Sequence, residues 1–294
     1  MNRHRPAAAL IAALLATAPV LADTVPPSSP PPAPGATVVR FERDPFAPGH
    51  GAFFPEGGTG ARFVYLADTP AHFPTDRRGS LRVLYDTTLP TGRISTPIEA
   101  VLGTDQDFSF GAVMTVRSEG FFADPNGFSQ IAFGLWNAHT TGMGRTLFPS
   151  DSYDLVEFDW FANVTDFGGP FLSPSVFGGA VGGNAFFNFG FASSEAALPL
   201  DTPLLCHAVY HAADRKLQVT VYRYASGMVF TEVPGAKVTV DLANLNPGFL
   251  VDVLGIAAYG EGWPSLRATV DYDLLYTGPV PAPLRTARGM RTQR

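Results

Sequence analysis

Glu157, Asp159, Asn163 and Asp166 stand together in the run ValGluPheAspTrpPheAlaAsnValThrAsp, residues 156–166. Along a strand successive side chains point to opposite faces, so Glu157 and Asp159 project from one face while Phe158 and Trp160 take the other. Two carboxylates held side by side repel unless a cation sits between them or one is protonated. Asn163 and Asp166 follow where the strand gives way to a loop. Carboxylates, an amide oxygen and a backbone carbonyl are the hard oxygen ligands that calcium gathers, about six to eight at a time. The plainer reading leaves Glu157 and Asp159 solvated on an open sheet face. For an isolated Glu-x-Asp it would stand; the Asn and Asp that follow at close spacing favour a metal site.

Holding such a strand takes a sheet, and the rest of the sequence supplies one. Eleven runs read as strands: 62–66, 81–85, 108–116, 131–136, 153–161, 185–191, 204–210, 216–222, 237–242, 253–258 and 268–276. They are rich in Val, Phe, Tyr and Leu, and several alternate with period two. Clusters such as AspProAsnGly (124–127), PheGlyGlyPro (167–170) and GlyGlyAlaValGlyGly (178–183) separate them. Residues 204–224 read as a hairpin turning at 212–215. Nothing helical intervenes to cover a parallel sheet, so the expected fold is all-β, one antiparallel β-sandwich.

The composition agrees. Hydrophobic residues make up 46% of the 294 and charged residues 16%, which excludes a coiled coil and a disordered chain. Residues 1–22 read as a signal peptide: Arg3 and Arg5, then an apolar stretch over 7–21 too short to span a bilayer comfortably. A Pro-rich linker follows over 23–36, the domain occupies 37–280, and 281–294 is a basic tail with four arginines. The expected location is secreted or periplasmic, with no stable membrane insertion after signal cleavage. The whole chain carries a net charge of −6, but residues 37–280 hold 14 Lys and Arg against 25 Asp and Glu, a net −11. That excess excludes a nucleic-acid binder and suits divalent cations or neutral ligands. Cys206, the only cysteine, lies in an apolar run and reads as a buried thiol.

The run at 156–166 resembles the metal-binding strand of the legume-type lectins, Val-Glu-Phe-Asp-x-Phe-x-Asn-x-x-Asp. The looser patterns at 207–221, 253–262 and 270–275 resemble that family's hairpin and last strands. The resemblance implies a concanavalin A-like jelly roll, a carbohydrate partner and calcium. It assigns calcium to Asp159, the backbone carbonyl of Phe161, Asn163 and Asp166. It assigns a neighbouring transition metal to Glu157, Asp159 and Asp166. The Phe161 ring and the Asn163 amide would meet a sugar. Asp124, before the strand at 131–136, would take the part of the family's sugar-binding Asp, although Pro125 and Gly127 beside it equally mark a turn. The pattern departs where the family's histidine completes the transition-metal site: Leu172 stands there. A transition-metal site without its imidazole loses much of its preference over harder ions, so calcium alone is expected. A homo-oligomer is compatible with all of this.

A laminarinase-like glycoside hydrolase is the alternative on the same fold, with Glu157 as nucleophile and Asp159 as its helper. A retaining hydrolase needs an acid/base carboxylate ~5–5.5 Å from the nucleophile. That strand should supply it at 161 or 162, which are Phe161 and Ala162; only a carboxylate from elsewhere, Glu261 or Glu119, could replace it. A non-catalytic structural or adhesive domain is the third reading. Binding rather than turnover is expected.

Overall fold

A computed structural model describes residues 36–47, 53–58, 62–70, 78–138, 154–162, 169–178, 189–225, 229–246 and 248–278. The signal, linker and tail read from the sequence lie outside these residues, as do Asn163 and Asp166. The first nine strands are β1 (Val38–Arg40), β2 (Phe54–Gly57), β3 (Phe63–Pro70), β4 (Arg78–Asp86), β5 (Gly92–Gly103), β6 (Phe108–Val116), β7 (Phe122–Ala123), β8 (Gln130–Trp136) and β9 (Leu155–Phe161). The others are β10 (Phe171–Leu172), β11 (Ser175–Phe177), β12 (Phe189–Phe191), β13 (Ser194–Glu195), β14 (Leu204–His211), β15 (Lys216–Ala225), β16 (Val229–Asp241), β17 (Leu250–Ala258) and β18 (Leu266–Thr277). No helix among the described residues is long and apolar enough to cross a membrane.

Two antiparallel sheets result. One runs β16-β15-β14-β6-β18-β4-β3, with β1 and β7 on β18; the other runs β12-β11-β9-β8-β17-β5-β2, with β10 on β9 and β13 on β10. The expected sandwich is what forms, and the 204–211/216–225 hairpin is part of it. Of the expected strand at 185–191, only 189–191 lies among the described residues. β5 was not expected: Pro97 and its polar start hide it. Pro97 falls beyond the reach of β2, which pairs only with Gly92–Ser95, so β5 has a neighbour on one side there and tolerates a missing N–H.

Alternation sets the core. Val156, Phe158 and Trp160 of β9, Ile131, Phe133 and Leu135 of β8, and Leu254 and Ile256 of β17 face the other sheet. From that sheet come Phe108, Phe110, Met114, Leu81, Val83 and Val270. Phe133 is the hinge of this packing: it stacks on Phe158 (centroids 4.7 Å, 20°) and meets Phe110 edge-on at 6.2 Å and Tyr272 at 6.3 Å. Each buried Phe or Leu contributes about 1.5–3 kcal/mol by leaving water. One polar link crosses the core: the Tyr85 and Tyr272 hydroxyls share a 2.7 Å hydrogen bond, and Tyr85 Oη also donates to the Ala132 carbonyl. Cys206 is a buried free thiol whose pKa burial raises.

Arg62 is fully buried. Its Nε donates to the Pro90 carbonyl (2.7 Å), Nη1 to Leu84 (3.1 Å), and Nη2 to Asp86 (2.9 Å) and Leu89 (2.6 Å). Burial lowers its pKa, and the Asp86 charge opposes that. One side chain thus gathers the whole turn from β4 to β5.

On the outer face of the first sheet His207 is half-buried, with Nδ1 2.8 Å from the Tyr276 hydroxyl. Gly111 between them leaves the room, since a Cβ there would lie 2.5 Å from that hydroxyl. Burial drives the His207 pKa from 6.5 down to about 4, with a hydrogen bond to Phe110 opposing. The unfolded chain therefore takes up a proton near 6.5 that the folded chain refuses. Stability present above pH 6.5 is lost as pH falls through about 4. His207→Gln, which does not titrate, is expected to flatten this acid limb by at most about 3 kcal/mol, a ceiling because the ring is only half-buried. Denaturant unfolding at pH 7 and pH ~4.5 measures it, and equal losses in both proteins reject the assignment.

Candidate functional site

The pairing register builds the site. Glu157 of β9 lies across from Gly134 of β8, Gly255 of β17 and Ser95 of β5; the next row is Asp159, Ala132, Ala257 and Arg93. These rows share the face turned away from the core. Their middle positions are Gly or Ala, so the floor between the acids and Arg93 is low. Gly134 is obligatory for close approach, because a Cβ would sit 2.3 Å from the Val156 carbonyl oxygen. β9 is fixed on both edges, by β8 and by β10 and β11, and Trp160 Nε1 donates to the Ala196 carbonyl at 2.8 Å.

Glu157 and Asp159 are both 0% exposed, which removes the solvated-face reading. They are partnered differently. The Tyr259 hydroxyl lies 3.0 Å from each oxygen of Glu157. Asp159 has no hydrogen-bond donor for either oxygen among the described residues. The Ser175 hydroxyl and backbone favour its ionised form, and contact with the Glu157 carboxyl favours the protonated one. Burial first, and the Glu157 charge second, hold the Asp159 carboxyl well above the usual carboxylate range. The same two causes raise Tyr259. Arg93, itself buried, places its guanidinium carbon 5.4 Å from the Tyr259 ring centre, within cation–π range.

A buried carboxylate without a compensating charge costs several kcal/mol; Asp159 can shed that cost by taking up a proton, the direction in which its surroundings push it, or by meeting a cation. Among the described residues no group of three or more His, Cys, Asp or Glu could hold a metal; the other expected ligands, Asn163 and Asp166, lie outside them. Leu172 faces the opposite way: it pairs with Trp160 and is buried in the core. No residue at that position could complete a site beside Glu157.

Phe161 differs from the expectation of an open sugar platform. It is 5% exposed, its ring stacked on Phe171 at 4.8 Å and tilted against Phe128 at 4.6 Å. Asp124 adopts the turn-forming role: Oδ1 accepts from the Asn126 N–H at 2.9 Å, and its own N–H donates to the Ser265 carbonyl at 2.8 Å. This brings the 121–129 loop against the loop after β17. Glu261 in that second loop accepts from the Ser129 and Ser265 hydroxyls, each 3.1 Å away. Aromatic surface near Asp124 comes from Phe122, 49% exposed, and Trp263, 36% exposed. Glu119 lies in the turn between β6 and β7 of the other sheet, lining a hollow of about 550 Å³ with Arg82, Arg117, Asp201 and Thr269. It stands on the far side of the sandwich from Glu157. Tyr259 and Arg93 had no signal in the sequence, being 102 and 64 positions from Glu157.

Sheet order, register and the acidic strand define a concanavalin A-like, legume-lectin-like fold. The winged bean acidic lectin in complex with methyl-alpha-D-galactose shares it, with a TM-score of 0.50 at 10% identity over 84% of this chain and 99% of that one. Peanut lectin (TM-score 0.48, 11% identity, 84% and 99% covered) and the Emp47p carbohydrate recognition domain (0.47, 11%, 76% and 100%) are also similar. No protein-family model and no curated protein matches the chain.

Proposed function

We propose that this chain is an exported protein that binds a neutral carbohydrate with the help of calcium. The observation that carries the reading is Asp159, a buried carboxylate with no donor for either oxygen among the described residues. Asp159, the Phe161 carbonyl, Asn163 and Asp166 are the ligand set, and bound calcium would supply positive charge that fixes the loop after β9. Asn163 and Asp124 are then the groups for sugar hydroxyls. With the Phe161 ring occupied by Phe128 and Phe171, Trp263 is the better stacking surface, since sugar faces need exposed rings. The −11 charge of residues 37–280 favours a neutral ligand, and the winged bean lectin of the same fold was solved with a neutral galactoside. The signal-like residues 1–22 motivate export. Binding is favoured over hydrolysis because Glu119 lies in a turn of the other sheet and Glu261 is engaged by two serines.

Elemental analysis of the purified chain, followed by a glycan array with calcium and with chelator, tests this. Bound calcium and chelator-sensitive retention of neutral glycans are expected. Absence of calcium, or retention indifferent to chelator, overturns the calcium reading, and a blank array overturns the carbohydrate reading. Steady release of reducing ends from β-glucan would replace binding with turnover.

A further inference from the structure

We infer that Thr87, in the turn between β4 and β5, is the positioning residue of the carbohydrate site: it sets where Trp263 and Asp124 stand. This rests on the carbohydrate reading above and is independent of the calcium reading. Thr87 is 3% exposed, and its hydroxyl is saturated, with its one donor and two acceptor positions used. Oγ1 donates to the Trp263 carbonyl (2.9 Å) and accepts from the Ser265 and Leu266 N–H groups (2.9 and 3.2 Å). The Thr87 carbonyl accepts from the Glu261 and Gly262 N–H groups (2.8 and 2.9 Å). From Glu261 to Leu266 every residue is thus tied to Thr87 except Pro264, which has no N–H to give.

The hold reaches both proposed sugar contacts. Trp263 is anchored through its own carbonyl, and Pro264 after it restricts its backbone to extended conformations. Gly262 before it takes a φ of +77°, a turn that L side chains rarely make. Asp124 is reached through Ser265, whose carbonyl accepts the Asp124 N–H at 2.8 Å. Glu261 closes the same link by accepting from the Ser129 and Ser265 hydroxyls. Thr87 is itself held, because Arg62 binds the Asp86, Leu89 and Pro90 carbonyls around it. A site whose loops are placed before the ligand arrives loses no binding energy to ordering them. A role in the fold alone would lower the melting temperature and leave the folded loop, and hence the affinity, as it is.

The test compares the full chain with Thr87→Val, which keeps the shape and removes the hydroxyl, and with Thr87→Ser, which keeps the hydroxyl. It reads acrylamide quenching of tryptophan fluorescence and dilution series on a neutral-glycan array with calcium present. Trp136 and Trp160 are 2% and 3% exposed against 36% for Trp263, so quenching of the folded chain reads Trp263. Thr87→Val is expected to be quenched more strongly and its retention to weaken about tenfold, the effect of having to order roughly one residue of backbone on binding. Thr87→Ser is expected to match the wild type in both. Unchanged quenching in Thr87→Val, or changed quenching with unchanged retention, overturns the inference and leaves the carbohydrate reading standing. So does a Thr87→Ser protein that behaves as Thr87→Val. A blank array for the wild type overturns the carbohydrate reading and this inference with it. Should Thr87→Val lack a native circular dichroism spectrum, Gly262→Val decides. Its Cβ meets nothing within 4 Å, but a φ of +77° is strained for a β-branched residue, so it displaces the loop from the solvent side. The same tenfold loss supports the inference, and wild-type retention overturns it.

Discussion

Arg62→Met is expected to destabilise the domain by about 4 kcal/mol, lowering the melting temperature by roughly 8–15 °C for a domain of this size. Methionine keeps the apolar stem but offers no donor. The carbonyls of Leu84, Asp86, Leu89 and Pro90 lose the one group that binds all four. Leaving buried carbonyls unpaired costs about 1–3 kcal/mol each; the Asp86 carbonyl keeps the Leu89 N–H, and relief of a buried charge offsets part of the rest. Arg62→Lys should recover less than half, because an ammonium has three donors on one atom and cannot span the four positions of the planar fork. The consequence extends beyond stability. The turn after Asp86 accepts the Glu261 and Gly262 N–H groups at the Thr87 carbonyl, and Thr91 Oγ1 accepts from the Gly260 N–H. Arg62 therefore holds the loop that follows Tyr259. Thermal melts of the three proteins measure this, and a shift under ~3 °C for Arg62→Met would show that solvent or a rearranged turn satisfies those carbonyls.

The acidic strand was legible because its two periods coincide. Alternating Phe158 and Trp160 demand a core on one side, and that demand alone puts Glu157 and Asp159 together on the other. Whether that other face is wet does not follow from alternation, and here both acids are buried. Other features depend on sheet order, which local pattern does not encode. Tyr259 meets Glu157 only because β17, β8 and β9 are adjacent in that order. Phe161 matched a sugar-facing ring by position, yet Phe128 and Phe171 enclose it, and neither is near enough in sequence to announce the contact. Arg62 opens a run that reads as an ordinary strand; nothing in ArgPheValTyrLeu distinguishes a cation that will be buried from one that will be solvated. β5 was hidden by Pro97, whose meaning depends on where β2 stops.

Asp159→Asn is expected to change stability in opposite directions with and without calcium. Without calcium the wild type buries a carboxyl whose pKa is raised by burial and by Glu157. The unfolded chain releases that proton near pH ~3.9, the folded chain only at higher pH. Stability is therefore complete below pH ~3.9 and is lost as pH rises through the folded value, at about 1.4 kcal/mol per unit of elevation. Asparagine cannot ionise and escapes this loss, while its amide, short of partners, costs about 1–3 kcal/mol. The metal-free variant should match or exceed the wild type at pH 8 and fall below it at pH ~4. With calcium at a thousand times its dissociation constant the wild type gains about 4 kcal/mol, and the variant gains nothing. The gain should grow with pH, because the ion must displace the Asp159 proton. Thermal melts in chelator and in millimolar calcium, at pH 5 and pH 8, read the crossing. If the variant is equally destabilised in both media, Asp159 is a packing residue and the calcium reading fails. A crossing ties the strand's raised carboxyl to the ion, since a purely structural acid has no reason to prefer one medium over the other.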